Sequence, residues 1–231
     1  MKKELLIFGS NGALGKGVTE TLIKKDYDKI YLFDFKFDDK EANGNIECRT
    51  VDDLSIEENV KKAFSGITPG KDKSFFLFST IGGFAGGNKL WETPVEEWEK
   101  MFNMNLKTSF LIAKHFSNLV RESFSGSLCF TAAYTGIDAE VGKAAYGASK
   151  GGLIHLVDSL SLEGREINLS VNAIAPFIID TPANRGWMKG QDFSKWIKPN
   201  EIGNLVNDIF KNYNFITGNI IKLTSRFDIF R

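Results

Sequence analysis

The sequence predicts an α/β fold: one domain over residues 1–231, built on a doubly wound parallel sheet of about seven strands with helices on both faces. Three observations carry this. Strand-like segments alternate with helical ones from end to end, the pattern of βαβ units. The strand-like segments are near-continuous apolar runs rather than alternating ones, as strands covered on both faces require. The first of them also runs directly into a glycine cluster that opens a helix.

Taken in order, "LLIFG" is short, apolar and followed by glycines, and reads as the first strand. "ALGKGVTETLIKK" has helical spacing. "KIYLFDF" and "NIECRTV" read as strands two and three, and "SIEENVKKAF" as a helix capped by Ser55. "SFFLFST" is a strongly apolar fourth strand. A glycine-rich loop leads to a helix, in one or two pieces, within "PVEEWEKMFNMNLKTSFLIAKHFSNLVRESF". "GSLCFTA" is the fifth strand, and a long helix follows from Ala145 to about Glu163. "LSVNAIAP" is the sixth strand. An aromatic-rich loop, a short helix near Glu201 to Phe210 and the strand "ITGNIIKLT" complete the chain, with neither an internal repeat nor a linker.

Composition narrows the function. Apolar residues make up 42%, enough for a sizeable core and too many for a disordered chain. Lys plus Arg equals Asp plus Glu at 29 each, and no long basic run appears, which argues against nucleic acid or an anionic membrane as main partner. Cys48 and Cys129 are far apart in strand-like runs without a CxxC, so neither a disulfide framework nor a zinc site is expected. No apolar run approaches the roughly eighteen residues of a membrane helix. "MKKELLIF" starts like a signal peptide, but its apolar run stops at Gly9, so a cytoplasmic location is expected.

"FGSNGALGKG" places Gly9, Gly12 and Gly15 between a strand and a helix. Such a turn lets backbone approach a pyrophosphate, and the helix N-terminus adds N–H groups and a favourable dipole. The candidate phosphate-side set is Gly9, Asn11, Gly12, Ala13, Leu14 and Gly15. Asp34 ends strand two, where an acidic side chain takes the ribose hydroxyls of an adenine nucleotide and repels a 2′-phosphate. NADH/NAD is therefore favoured over NADPH, although Lys36 lies two residues on. Asp53 and Leu54, after strand three, are placed to border the adenine, with Asp52 as an alternative.

Tyr146 and Lys150 stand four apart on the long helix and share a face. A free tyrosine has a pKa of about 10, and a neighbouring ammonium is expected to lower it. Tyr146 then serves as general acid, with Lys150 tuning it and holding the nicotinamide ribose.

The pieces "GSNGALG", "DLS", "WEKMFNMNLKTSF", "YGASKGGL", "VNAIAP" and "ITGNIIKL" occur in an order that resembles the short-chain dehydrogenase/reductase family over nearly the whole chain. The resemblance implies a Rossmann-type core with NAD(P) across the sheet's C-terminal edge and Tyr146 and Lys150 as catalytic pair. Asn105 matches the family asparagine that anchors a relay water. Ile179 and Thr181 match positions near the nicotinamide carboxamide, and Gly82 and Pro176 join the cofactor set. A homodimer or homotetramer is implied, paired through the helices spanning Asn105–Phe124 and Ala145–Glu163.

The sequence also departs from the family. "STIGG" follows strand four, Phe177 follows Pro176, and Ala133 stands where the family carries a serine. With "GALG", "GGFAGGN", "DTPANR" and "DFSKW", these departures resemble the dihydropteridine reductase branch. The implied substrate is a quinonoid dihydropterin, a conjugated ring that spreads incoming electron density and needs a single donor less than an isolated ketone does. Alternatively Thr131, Tyr134 or Thr135 replaces the serine, and ordinary carbonyl substrates return. A protein that binds NAD(H) without turnover is opposed by the retained Tyr146, Lys150 and Asn105.

The candidate substrate set is Phe84, Ala133, Tyr146 and Trp187, with Phe84 as stacking platform under a lid near residues 177–200. Trp196 shares that loop, as either lid or core packing. His115 and His155 lie within helices without a second ligand at metal spacing, so no metal is expected.

Overall fold

The computed structural model describes residues 1–37 and 44–226. Seven parallel strands form one sheet in the order β3-β2-β1-β4-β5-β6-β7. They are β1 (Lys2–Phe8), β2 (Lys29–Asp34), β3 (Ile46–Thr50), β4 (Lys73–Ser79), β5 (Ser125–Thr131), β6 (Leu169–Pro176) and β7 (Ile220–Leu223). The chain winds outward from β1 to β3, returns to the far side of β1 and winds out again through β4 to β7. The direction reverses between β1 and β4, and a crevice opens there at the strands' C-terminal ends.

Side chains along a strand alternate between faces. In β1, Leu5 and Ile7 enter one core, with Val18, Leu22, Val206 and Phe210. Leu6 and Phe8 enter the other, with Leu111, Phe116, Leu153 and Val157. The first core is covered by α1 (Ala13–Leu22) and α7 (Pro199–Lys211), the second by α2 (Glu57–Phe64), α4 (Thr108–Arg121) and α5 (Ala144–Glu163). Two buried faces explain why β1 reads as an unbroken apolar run. Phe8 and Phe33, register partners on β1 and β2, stack at 4.1 Å between centroids. Each buried ring contributes ~1.5–3 kcal/mol by transfer alone.

Two local expectations change. Helix α2 is preceded by Ile56 at its N-cap, with no side-chain cap bond. Ser55 is not the cap: its N–H donates to Asp53 Oδ1 at 2.9 Å, so the pair closes the turn before the helix. The long helical run after β4 is neither one α-helix nor two separate pieces. α3 (Val95–Met101) passes through a π-helical stretch, Phe102–Lys107, into α4. At its end Thr108 N–H reaches back five residues to the Asn103 carbonyl. The widened turn carries Asn105.

Candidate active site

The glycine turn is built tightly. Gly9 sits at φ +77°, a left-handed conformation that glycine adopts without a Cβ clash. A Cβ at Gly15 would fall 1.9 Å from the Gly9 carbonyl oxygen, so α1 lies directly against the turn. Gly12 at the N-cap of α1 has no side chain to occupy the first-turn N–H groups. Asp34 braces this turn from the end of β2: Oδ2 accepts from Asn11 N–H and Oδ1 from Phe35 N–H, each at 2.8 Å. The Asn11 side chain donates to the Lys36 carbonyl at 2.9 Å.

A cavity of about 480 Å³ opens beside this turn and gathers Gly9, Gly12, Asp34, Asp53, Leu54 and Gly82. A second, of about 360 Å³, contains Tyr146, Lys150, Ala133, Phe84, Trp187 and Pro176. Thr80 and Gly82, just past β4, belong to the walls of both. The two therefore meet at the point where the strand order reverses.

In the second cavity Lys150 is buried and donates from Nζ to the Thr131 carbonyl at 2.7 Å. Burial pushes its ammonium down to about 8. Tyr146 moves opposite to the sequence expectation. Burial pushes its phenol up to about 12, and the Glu140 carboxylate adds to the rise. The desolvated phenol outweighs an ammonium that is engaged with Thr131, and Tyr146 stays protonated at neutral pH.

Asn105 is a strut. Its Oδ1 accepts from Gly83 N–H at 2.9 Å; its Nδ2 donates to the Gly83 carbonyl at 3.1 Å and to Ser149 Oγ at 3.0 Å. Ser149 Oγ donates in turn to the Tyr146 carbonyl at 2.8 Å. The Asn105 backbone carbonyl accepts from Ser109 Oγ at 2.7 Å. Asn105 thereby couples the loop after β4 to the turn of α5 that carries Tyr146. A Cβ at Gly82 would fall 2.7 Å from Asn105 Oδ1 and 2.9 Å from Lys150 Nζ.

Ala133 is buried in the wall of this cavity. The three hydroxyls near it make their hydrogen bonds within the protein. Thr131 Oγ1 donates to the Ser79 carbonyl at 2.9 Å. Thr135 Oγ1 donates to the Glu140 carboxylate. The Tyr134 ring packs edge-on against Phe177 at 5.7 Å, and its hydroxyl pairs with Asp138.

Phe84 meets Tyr146 edge-to-face at 5.0 Å and Trp187 at 5.2 Å, so the three rings form one aromatic wall. Trp187 ends α6 (Pro182–Trp187), within the segment expected as a lid, which a bidentate Arg185–Asp180 pair holds at 2.5 and 2.8 Å. Trp196 is core packing: it is buried and lies 4.7 Å from Phe193. Ile179 lines the cavity, while Thr181 caps α6 by accepting from Asn184 N–H at 3.2 Å. Ala13 and Leu14 begin α1, beside the turn and outside both linings. His115 stacks on Phe64 at 6.1 Å, and no three His, Cys, Asp or Glu cluster among the described residues.

Sequence reasoning missed Glu140, Lys143 and Ser149. Ser149 follows Tyr146 by three on one helix, a spacing that shares a face. Lys143 lies three residues before the tyrosine and lines its cavity, a position that marked it for attention.

A family model described as short chain dehydrogenase matches residues 3–192. The chain belongs to the short chain dehydrogenase family. Family members are oxidoreductases that use NAD(H) or NADP(H) on small molecules. Among its relatives, dihydropteridine reductase of Dictyostelium discoideum is 28% identical over 204 residues, 87% of this chain and 85% of that one. NAD-dependent glycerol dehydrogenase of Listeria innocua is 28% identical over 208 residues, 87% and 81%. The structure of ElxO with NADP bound superposes with a TM-score of 0.84 at 22% identity, over 97% of this chain and 98% of that one, a likeness of fold. The residues present fit a dinucleotide: a turn tight enough to exclude any Cβ at Gly15, a carboxylate beside it, and two cavities joined at Gly82. No helix among the described residues is long and apolar enough to cross a membrane.

Proposed function

We propose that this short chain dehydrogenase is an NADH-dependent reductase of a quinonoid dihydropterin-like substrate, with Tyr146 as proton donor. One observation carries the reading. The cavity that holds Tyr146 is walled by Ala133 and by the edge-to-face Phe84–Trp187 pair, so it offers aromatic rings against which a planar substrate can pack, and no serine. The Dictyostelium relative supports it.

The glycine turn and the N-terminus of α1 would hold the pyrophosphate, and Asp34, Asp53 and Leu54 the adenosine end. When bound, the reduced nicotinamide supplies hydride to the substrate. Tyr146 gives the proton; burial keeps it loaded until the substrate accepts it. Lys150 places positive charge beside the phenolate that remains. Asn105 fixes the spacing between Gly83 and the tyrosine's turn. Ile179, Thr181 and Pro176 frame the nicotinamide end, and the α6 lid excludes water. Two copies pair through α4 and α5, where Phe110 and Leu162 stand exposed, and the protein works in the cytosol.

The test is NADH oxidation with freshly generated quinonoid dihydropterin, beside small ketones and alcohols. Rapid turnover of the pterin, reduced ~10²–10⁴-fold in Tyr146→Phe, is expected, with Ala133→Ser raising ketone turnover. Turnover of carbonyls alone would replace this reading with a general carbonyl reductase, which the glycerol dehydrogenase relative favours.

A further inference from the structure

The hydroxyls that line the reactive cavity have a direction. Thr131 and Thr135 both border it, and each has committed its single proton to the protein. Thr131 donates to a carbonyl, which can only accept. Thr135 donates to Glu140. Glu140 also takes a bond from Lys143 Nζ at 2.6 Å. The Lys143 and Thr135 bonds hold its carboxyl below the ordinary carboxylate range, so at neutral pH it is ionised and can only accept. What Thr135 can present to the cavity is therefore a lone pair.

The surroundings fix this arrangement. Gly142, between Glu140 and Lys143, accepts from Gly87 N–H at 2.8 Å, which ties the loop to the glycine-rich segment after β4. Lys143 Nζ also stands 5.8 Å over the Phe84 ring. The wall beside Phe84 is thus set by backbone and by an ion pair.

We propose that Thr135 and Glu140 determine specificity together, Glu140 being the positioning residue that makes Thr135 a hydrogen-bond acceptor toward the substrate. The site then selects a substrate that brings an N–H to this wall, an amino- or imino-bearing heterocycle. A carbonyl oxygen set against Thr135 itself meets acceptor with acceptor and leaves both unsatisfied. This deepens the dihydropterin-like reading and rests on it.

Three variants test the pair. Thr135→Val keeps the shape and drops the oxygen, and Thr135→Ser keeps the hydroxyl. Glu140→Gln turns its amide oxygen to the Lys143 ammonium and its NH₂ to Thr135, which frees the threonine proton for the cavity. Each NADH-loaded enzyme, with folding checked by thermal melting, is assayed for kcat/KM on quinonoid dihydropterin and on small ketones. Thr135→Val is expected to lower the pterin value ~10-fold, chiefly through KM, and Thr135→Ser to retain it. Glu140→Gln is expected to move the ketone-to-pterin ratio ~10-fold toward ketones. A ratio is insensitive to a smaller folded fraction, because both substrates read the same active enzyme. Unchanged ratios in folded Thr135→Val and Glu140→Gln would overturn the pair while leaving the pterin reading intact. A wild-type enzyme that reduces ketones and no dihydropterin would sink the pterin reading. In that case the pair is decided on ketones alone: a rise in Glu140→Gln that is lost when Thr135→Val is added supports it, and a rise that persists or no change overturns it.

Discussion

Lys150 and Tyr146 are shifted by the same cause in opposite directions. Burial disfavours charge, so it lowers an ammonium and raises a phenol. For Lys150 the folded value of about 8 lies below the ordinary 10.5. Below pH 8 both folded and unfolded chains hold the proton, and burying the charge opposes folding in full. Between 8 and 10.5 the folded chain releases it first and the penalty is relieved. Lys150→Met should therefore melt a few degrees above the wild type at pH 7 while losing activity, with the gap closing as pH rises through that window. Melting curves of both proteins from pH 7 to 10 check this; a gap that widens with pH would contradict it. None of this was legible in the sequence. YxxxK spacing places two groups on one face, but it does not say that Nζ turns to the Thr131 carbonyl or that Glu140 lies near the phenol. Nor could "FTAAYT" show that both threonine hydroxyls commit their protons to the protein.

The elements were more legible than their ends. Continuous apolar runs such as "SFFLF" leave little choice when both faces of a sheet are covered. The Ser55 cap misled because a serine before an acidic turn suits an N-cap and an Asx-type turn equally well, and the Asp53 carboxylate took the Ser55 N–H. The π-helical stretch leaves no mark in spacing, since one widened turn shifts the helical period by a single residue. It matters because Asn105 rides on it and reaches both Gly83 and Ser149. Gly82 lies against that strut at φ +157°. Gly82→Ala would push its methyl into Asn105 Oδ1 and Lys150 Nζ together. A loss of ~10–100-fold in kcat with little change in melting temperature is expected, because displacements of this size act on alignment more than on the core. Steady-state kinetics with parallel calorimetry would show it; an unimpaired kcat would mean that the strut does not set the geometry.

At the scale of the molecule, the cavity beside the glycine turn and the cavity that holds Tyr146 meet at Thr80 and Gly82, where the strand order reverses. The doubly wound sheet followed from alternation and the glycine turn; the junction at Thr80 and Gly82 did not. How copies associate did not follow. Pairing through α4 and α5, as proposed, would cover Phe110, which stands 48% exposed. Phe110→Glu should then shift sedimentation velocity to the monomer, and an unmoved peak would place the contact elsewhere.

The brace between Asp34 and Asn11 N–H carries a last consequence, for how such a protein could change its diet of nucleotides. The carboxylate that would repel a 2′-phosphate is also the one that holds the phosphate turn. Asp34→Ala removes repulsion and brace together and should weaken binding of both nucleotides. Asp34→Asn keeps an acceptor for the Asn11 N–H while discarding the charge and the bond to the Phe35 N–H. Titrations of intrinsic fluorescence should find NADPH gaining on NADH in Asp34→Asn alone. If so, the evolutionary route between the two coenzymes passes through asparagine, because the intermediate must keep its turn while it changes its charge.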